Sequence, residues 1–133
     1  MADGRFRVAA VQMVSGPEVQ ANLAVAGKLI AQAAGEGAQL VALPEYFCIL
    51  GLRDRDKVDA READGHGPIQ DFLAESAAKN KVWLVGGSAP LECADPDKVK
   101  NSCLVFDAGG RRVARYDKIH LFGFESGTER FQE

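Results

Sequence analysis

The sequence is poor in the residues that most metal and phosphate chemistry requires. Only two histidines, His66 and His120, and three cysteines occur in 133 residues. The cysteines show no C-x-x-C spacing, so no metal site is expected. An odd cysteine count without a paired framework points instead to free thiols in a reducing compartment. No G-x-x-x-x-G-K-[ST] or G-x-G-x-x-G segment is present, which disfavours a nucleotide-binding α/β domain; Gly86-Gly87 reads better as a close-approach turn than as a phosphate loop. Basic blocks are missing too. The run Arg53-Asp54-Arg55-Asp56-Lys57 alternates in sign and the net charge is −3, so neither nucleic acid nor an anionic membrane is an expected partner. No apolar run approaches the length of a membrane span. The apolar residues 8–11 stop at Gln12, too soon for a secretory signal. A cytoplasmic protein is the expectation.

What remains is an ordinary globular composition, 47% hydrophobic and 26% charged. The length suits one domain and is too short for two. Residues 6–13 alternate and are rich in Val and Ala, predicting a buried strand. Gly16-Pro17 breaks it, and Pro17 with Glu18 suits the first turn of a helix. Val19, Leu23, Ala26, Ile30 and Ala33 then recur at helical spacing until Gly35-Glu36-Gly37. The continuous apolar run 40–43 predicts a strand covered on both faces.

Residues 46–67 read as irregular, with a possible short helix over 54–62. After the turn Asp64-Gly65-His66-Gly67-Pro68, the residues Ile69, Phe72, Leu73 and Ala77 mark a second amphipathic helix to about Lys81. Residues 82–88 read as a strand and 91–98 as a loop. Segments 102–107 and 112–116 flank Ala108-Gly109-Gly110-Arg111, a hairpin in which the glycines can supply positive φ. The predicted order is β-α-β-α-β-β-β, an α/β chain whose first three strands are parallel with right-handed crossovers.

Two charged residues fall where such a fold binds ligands. Glu45 follows Pro44 at the carboxyl end of the second strand, the side on which open α/β sheets hold substrates. Its ordinary alternative is a loop carboxylate capping a helix. Lys118 ends the last strand within Tyr116-Asp117-Lys118-Ile119-His120-Leu121-Phe122. Its apolar flanks predict a partly desolvated ammonium, able to stabilise an oxyanion or orient a carboxylate; a lysine that snorkels into water is the alternative. Cys48 lies near Glu45 in sequence, but nothing local supplies the electropositive niche of a reactive thiol. Cys103 reads as core and Cys93 as loop. His120, two residues from Lys118, would share its face if the strand continued, as a structural hydrogen-bonding residue.

Several ordered segments together resemble the nitrilase superfamily of carbon–nitrogen hydrolases. They are Arg7-Val8-Ala9-Ala10-Val11-Gln12-Met13, Asn22-Leu23, Leu43-Pro44-Glu45, Trp83-Leu84-Val85-Gly86-Gly87, Asn101-Ser102 and the Lys118 segment. The members most like it include omega-amidase-type and beta-ureidopropionase-like enzymes. The resemblance implies an α-β-β-α sandwich, of which residues 1–133 would be the N-terminal half, a domain incomplete at its C-terminal side. It implies a Glu-Lys-Cys triad acting on a small amide, nitrile or carbamoyl substrate, without metal or organic cofactor, in a homodimer. Glu45 matches the general base and Lys118 the lysine that stabilises the tetrahedral intermediate. Glu133, closing Phe131-Gln132-Glu133, matches a second glutamate near the triad. The implied cysteine follows the lysine on a strand-to-helix elbow, and neither Cys48 nor Cys103 matches its context. A truncated, catalytically inactive product that pairs with itself or with another chain is the competing expectation.

Overall fold

Three short parallel strands in step with one another form one end of the main sheet. The computed structural model describes residues 3–127 and 129–132. Strand β1 (Val8–Ala10) pairs with β2 (Leu40–Ala42), and β2 with β3 (Trp83–Val85), so that Val8, Leu40 and Trp83 stand side by side. Helix α1 (Val19–Gly35) joins β1 to β2. A single turn α2 (Asp56–Asp59) and helix α3 (Pro68–Asn80) precede β3. Strands β4 (Ala89–Glu92) and β6 (Arg112–Asp117) both pair antiparallel with β5 (Val99–Phe106). Since β5 also pairs with β3, six strands make one sheet. A separate hairpin, β7 (Gly123–Ser126) and β8 (Glu129–Gln132), follows.

The helices are set by buried polar clamps as well as by their apolar stripes. Pro17 and Glu18 precede α1 without a side-chain cap, and Asn22 reaches back from the first turn. Its amide accepts from Gly16 N–H at 2.9 Å and donates to Gly16 O and Cys48 O at 2.8 and 2.9 Å. The start of α3 is closed by Glu62, a buried carboxylate that accepts from Ile69 N–H at 2.7 Å and Gln70 N–H at 3.1 Å. A negative group there satisfies orphan donors and meets the positive end of the helix. Gly67 is required beside it. Its φ is 137°, and a β-carbon would sit 2.3 Å from the Glu62 carboxyl carbon.

Both long helices lie on one face of the sheet. Ala26, Ile30, Val41, Leu73, Ala77, Leu84 and Leu104 are buried between them and the strands. Phe47 packs into the same core, its ring 6.2 Å from that of Phe72. Residues alternate across each strand, so Val8, Trp83 and Tyr116 point to the other face, where they are 61%, 43% and 59% exposed.

The predicted parallel crossovers, both helices and the antiparallel hairpin are present, in the mixed α/β fold expected. Three details differ. The expected buried strand 6–13 is strand only at Val8–Ala10 and open on one side, because no helix covers that side. The expected loop 91–98 begins as β4. Gly86-Gly87-Ser88 bends the chain out of β3 and lets it resume along the same neighbour, β5. The β7–β8 pairing was not anticipated. Among the described residues no helix is long and apolar enough to cross a membrane, and no group of three or more His, Cys, Asp or Glu is placed to hold a metal.

Candidate active site

The site forms where two strand ends meet beyond the hydrogen-bonded sheet. On the β2 side, Leu43 N–H still donates to Val85 O at 2.9 Å, and Pro44 then stops the strand. A tight turn follows, closed by Phe47 N–H to Pro44 O at 3.2 Å. Glu45 and Tyr46 occupy its corners, with Tyr46 in the left-handed region at φ 48°. Fully buried Phe47 and Cys48 anchor the turn, while Glu45 remains on the surface side.

On the other side, alternation at the end of β6 separates two roles. Asp117 accepts from Ser102 Oγ at 2.7 Å and from Arg115 Nε at 2.8 Å. The Arg115 hydrogen bond holds its carboxyl below the ordinary range, with Ser102 assisting. Arg115 also pairs with Asp64 at 3.2 Å, and Arg112 pairs with Asp64 as well. With β6 pinned in this way, the next residue leaves the strand. Lys118 N–H donates to Asn101 O at 2.9 Å.

The two strand ends converge on one oxygen. Lys118 Nζ lies 2.8 Å from Glu45 Oε1, and Asn101 Nδ2 donates to the same atom at 2.7 Å. A carboxylate so held is oriented, and its neighbouring ammonium lies where negative charge on a bound molecule would be stabilised. Beside it opens a cleft of about 460 Å³ lined by Glu45, Tyr46, Leu50, Lys57, Lys118 and Phe122. That volume suits a small molecule. Asp54 and Arg53 also line it, so two carboxylates and three cations stand beside apolar side chains, a mixture that suits a polar group with a short carbon chain next to it.

Other expectations fare differently. Ile119, Leu121 and Phe122 are exposed, while the Lys118 side chain itself is part-buried, 29% exposed. His120 is exposed beyond the end of β6, so the shared strand face does not exist. Cys48 is buried, and that burial pushes its thiol up to about 12, leaving it protonated and inert near neutrality. Its Sγ contacts Ser88 O at 3.7 Å. Burial also raises the Cys103 thiol. Glu133 lies outside the described residues. Asn101, whose amide reaches Glu45, carries no predicted role of its own in the sequence; it enters only within the Asn101-Ser102 segment of the resemblance.

The family profile of carbon-nitrogen hydrolases matches residues 7–133. The chain belongs to that family. Its similarity to an omega-amidase of Xenopus laevis, NIT2-B, is 38% identity over 130 residues, covering 97% of this chain and 46% of that protein. The NitFhit protein of C. elegans shares the fold across 100% of this chain and 32% of its own, with TM-score 0.80 and 30% identity. A double mutant of an amidase from Nesterenkonia sp., solved with acrylamide, aligns with TM-score 0.75 and 25% identity, over 92% of this chain and 47% of that one. This carbon-nitrogen hydrolase chain thus spans about half the length of the curated relative it matches, and its fold is a partial domain of the nitrilase-superfamily fold.

Proposed function

We propose that this chain supplies the base and the cationic part of an amidase site, completed by a cysteine outside these residues. The observation that carries the reading is the contact of Lys118 and Asn101 with a single oxygen of Glu45, beside a cleft of small-molecule size. The thiol nucleophile would form a C–S bond to the amide carbon as Glu45 takes its proton. Lys118, with a backbone N–H, would stabilise the oxyanion. Glu45 would return the proton to the leaving nitrogen as the C–N bond breaks. Water, giving its proton to Glu45, would then release the acyl group as acid and free the sulfur. Glu133 is proposed as the second glutamate of the site. The substrate is a small amide, nitrile or carbamoyl compound, a class supported by the omega-amidase relatives and the acrylamide-bound neighbour.

The burial of Cys48 supports placing the nucleophile elsewhere. The test is amide hydrolysis by the 133-residue chain and by a longer protein containing it. The chain alone is expected to be inactive. In the longer protein, Glu45→Gln is expected to lower kcat by roughly 10²–10⁴, and Lys118→Met by roughly 10²–10³. Turnover by the chain alone, abolished by Cys48→Ala, would overturn the reading.

The exposed apolar sheet face, with Val8, Trp83, Val113 and Tyr116, favours a second reading: a half-domain that associates with itself or another chain. Sedimentation decides it. A concentration-independent monomer that unfolds cooperatively would set it aside.

A further inference from the structure

We propose that Ser88 is a positioning residue for Glu45, acting as a lock on the Glu45–Tyr46 peptide; the proposal rests on the role of Glu45 as base given above. The turn that carries Glu45 is closed by Phe47 N–H to Pro44 O, and its third residue, Tyr46, has φ 48°. Turns with a positive φ at that position favour glycine or asparagine, because a β-carbon is crowded there. A tyrosine can leave that region by rotation of the peptide between Glu45 and Tyr46. Such a rotation changes ψ of Glu45 and frees the turn to shift, and with it the Cα from which the Glu45 carboxylate reaches Asn101 and Lys118. Some contact must therefore hold the strained orientation.

Ser88 makes that contact. Its Oγ accepts from Tyr46 N–H at 2.9 Å, and the residue is only 5% exposed. Rotation of the peptide would turn this N–H away and leave it without its acceptor in a part-buried setting. The same residue takes a second hold on the turn, since its carbonyl receives the Cys48 thiol at 3.7 Å. Gly87 explains how Ser88 comes so close. With φ 58°, it lies against the turn backbone, and a β-carbon would fall 2.0 Å from Pro44 O. The bend that divides β3 from β4 thus presses a hydroxyl onto the peptide that aims Glu45. Asn101 and Lys118 hold the carboxylate itself, so Glu45 is gripped at its backbone and at its tip.

The lock requires an oxygen acceptor at position 88, which Ser88→Thr keeps and Ser88→Ala removes. Amide hydrogen exchange and the Glu45 carboxyl carbon signal, read by NMR on the chain, test it. In the wild type, Tyr46 N–H should exchange at least roughly tenfold more slowly than in an unstructured peptide. Ser88→Ala should return it to the unstructured rate while Leu84 and Leu104 stay protected, and Ser88→Thr should preserve it. In the wild type, Lys118→Met should shift the Glu45 carboxyl signal; in the Ser88→Ala background that response should disappear. A merely structural serine would lower stability without uncoupling Glu45 from Lys118. A protected Tyr46 amide in Ser88→Ala, or an undiminished response to Lys118→Met, overturns the proposal. Should Ser88→Ala not fold, unprotected Tyr46 exchange in the wild type overturns it equally. None of these readouts needs turnover, so failure of the amidase reading and failure of the lock are separately visible.

Discussion

Leu84 and Trp83 are adjacent in β3 and meet different surroundings. Leu84 is fully buried beneath α1 and α3, whereas Trp83 stands on the uncovered face beside Leu40 and Val8. The covered face supplies the core. The uncovered face supplies little stability within this chain, although its strands are equally apolar. Apolar character therefore marks where a sheet can be buried, and packing elements decide where it is. The Glu45 site is positioned by hydrogen-bond register at two strand ends.

The sharpest way to break this contrast is to truncate both neighbours. Leu84→Ala is expected to cost about 2–5 kcal/mol, the range for a deleted buried leucine side chain. Trp83→Ala is expected to cost less than about 1 kcal/mol in the monomer. Urea denaturation followed by circular dichroism gives both values. Similar costs would mean that something covers the open face in solution.

The second test compares a buried polar group with an exposed one. Glu62→Ala removes a buried carboxylate that serves the start of α3, and is expected to cost about 1–3 kcal/mol. The exposed pair Arg55–Asp97, 2.8 Å apart, should give no measurable change when Asp97 becomes Asn. Thermal melts of the two variants distinguish them.

Thiol labelling sharpens the comparison further. Cys48, buried with its thiol raised to about 12, should resist an alkylating reagent at pH 8, while part-exposed Cys93 is modified. Mass mapping reads the order directly, and rapid labelling of Cys48 in the folded chain would contradict its burial.

The smallest effect concerns pH. Asp117, paired first with Arg115, is held below its ordinary value of 3.8. A carboxylate lowered by folding contributes stability above that ordinary value, and the contribution fades as pH falls through the lowered folded value. Wild type should therefore exceed Asp117→Asn in stability at neutral pH, with the gap closing below pH 3.8. Melts across an acid series would show it.

The three parallel strands, both long helices and the β5–β6 hairpin were legible because their signals are local. The run Leu40-Val41-Ala42-Leu43, the stripe Leu23-Ala26-Ile30 and the Gly110 turn each carry their own evidence in a few residues. The positions of Glu45 and Lys118 at strand ends were legible for the same reason. Their contact was not, because it depends on the pairing of β5 with β3 and β6. The contacts that Asn101 and Ser88 make with the Glu45 turn escaped notice likewise. Each acts on a residue more than forty positions away, through a register that no local pattern reveals. Exposure escaped too: Val8 and Trp83 look like core in sequence, because alternation records which side chains share a face and says nothing of what covers it.

The contact between Lys118 and Glu45 has a kinetic meaning beyond its geometry. It spans 73 positions of chain, and it can close only after the β5–β6 hairpin has docked against the parallel strands. Contacts of such long separation bear the largest loop-closure cost and slow folding. The site should therefore be among the last parts of the chain to assemble, and its formation would report a finished fold.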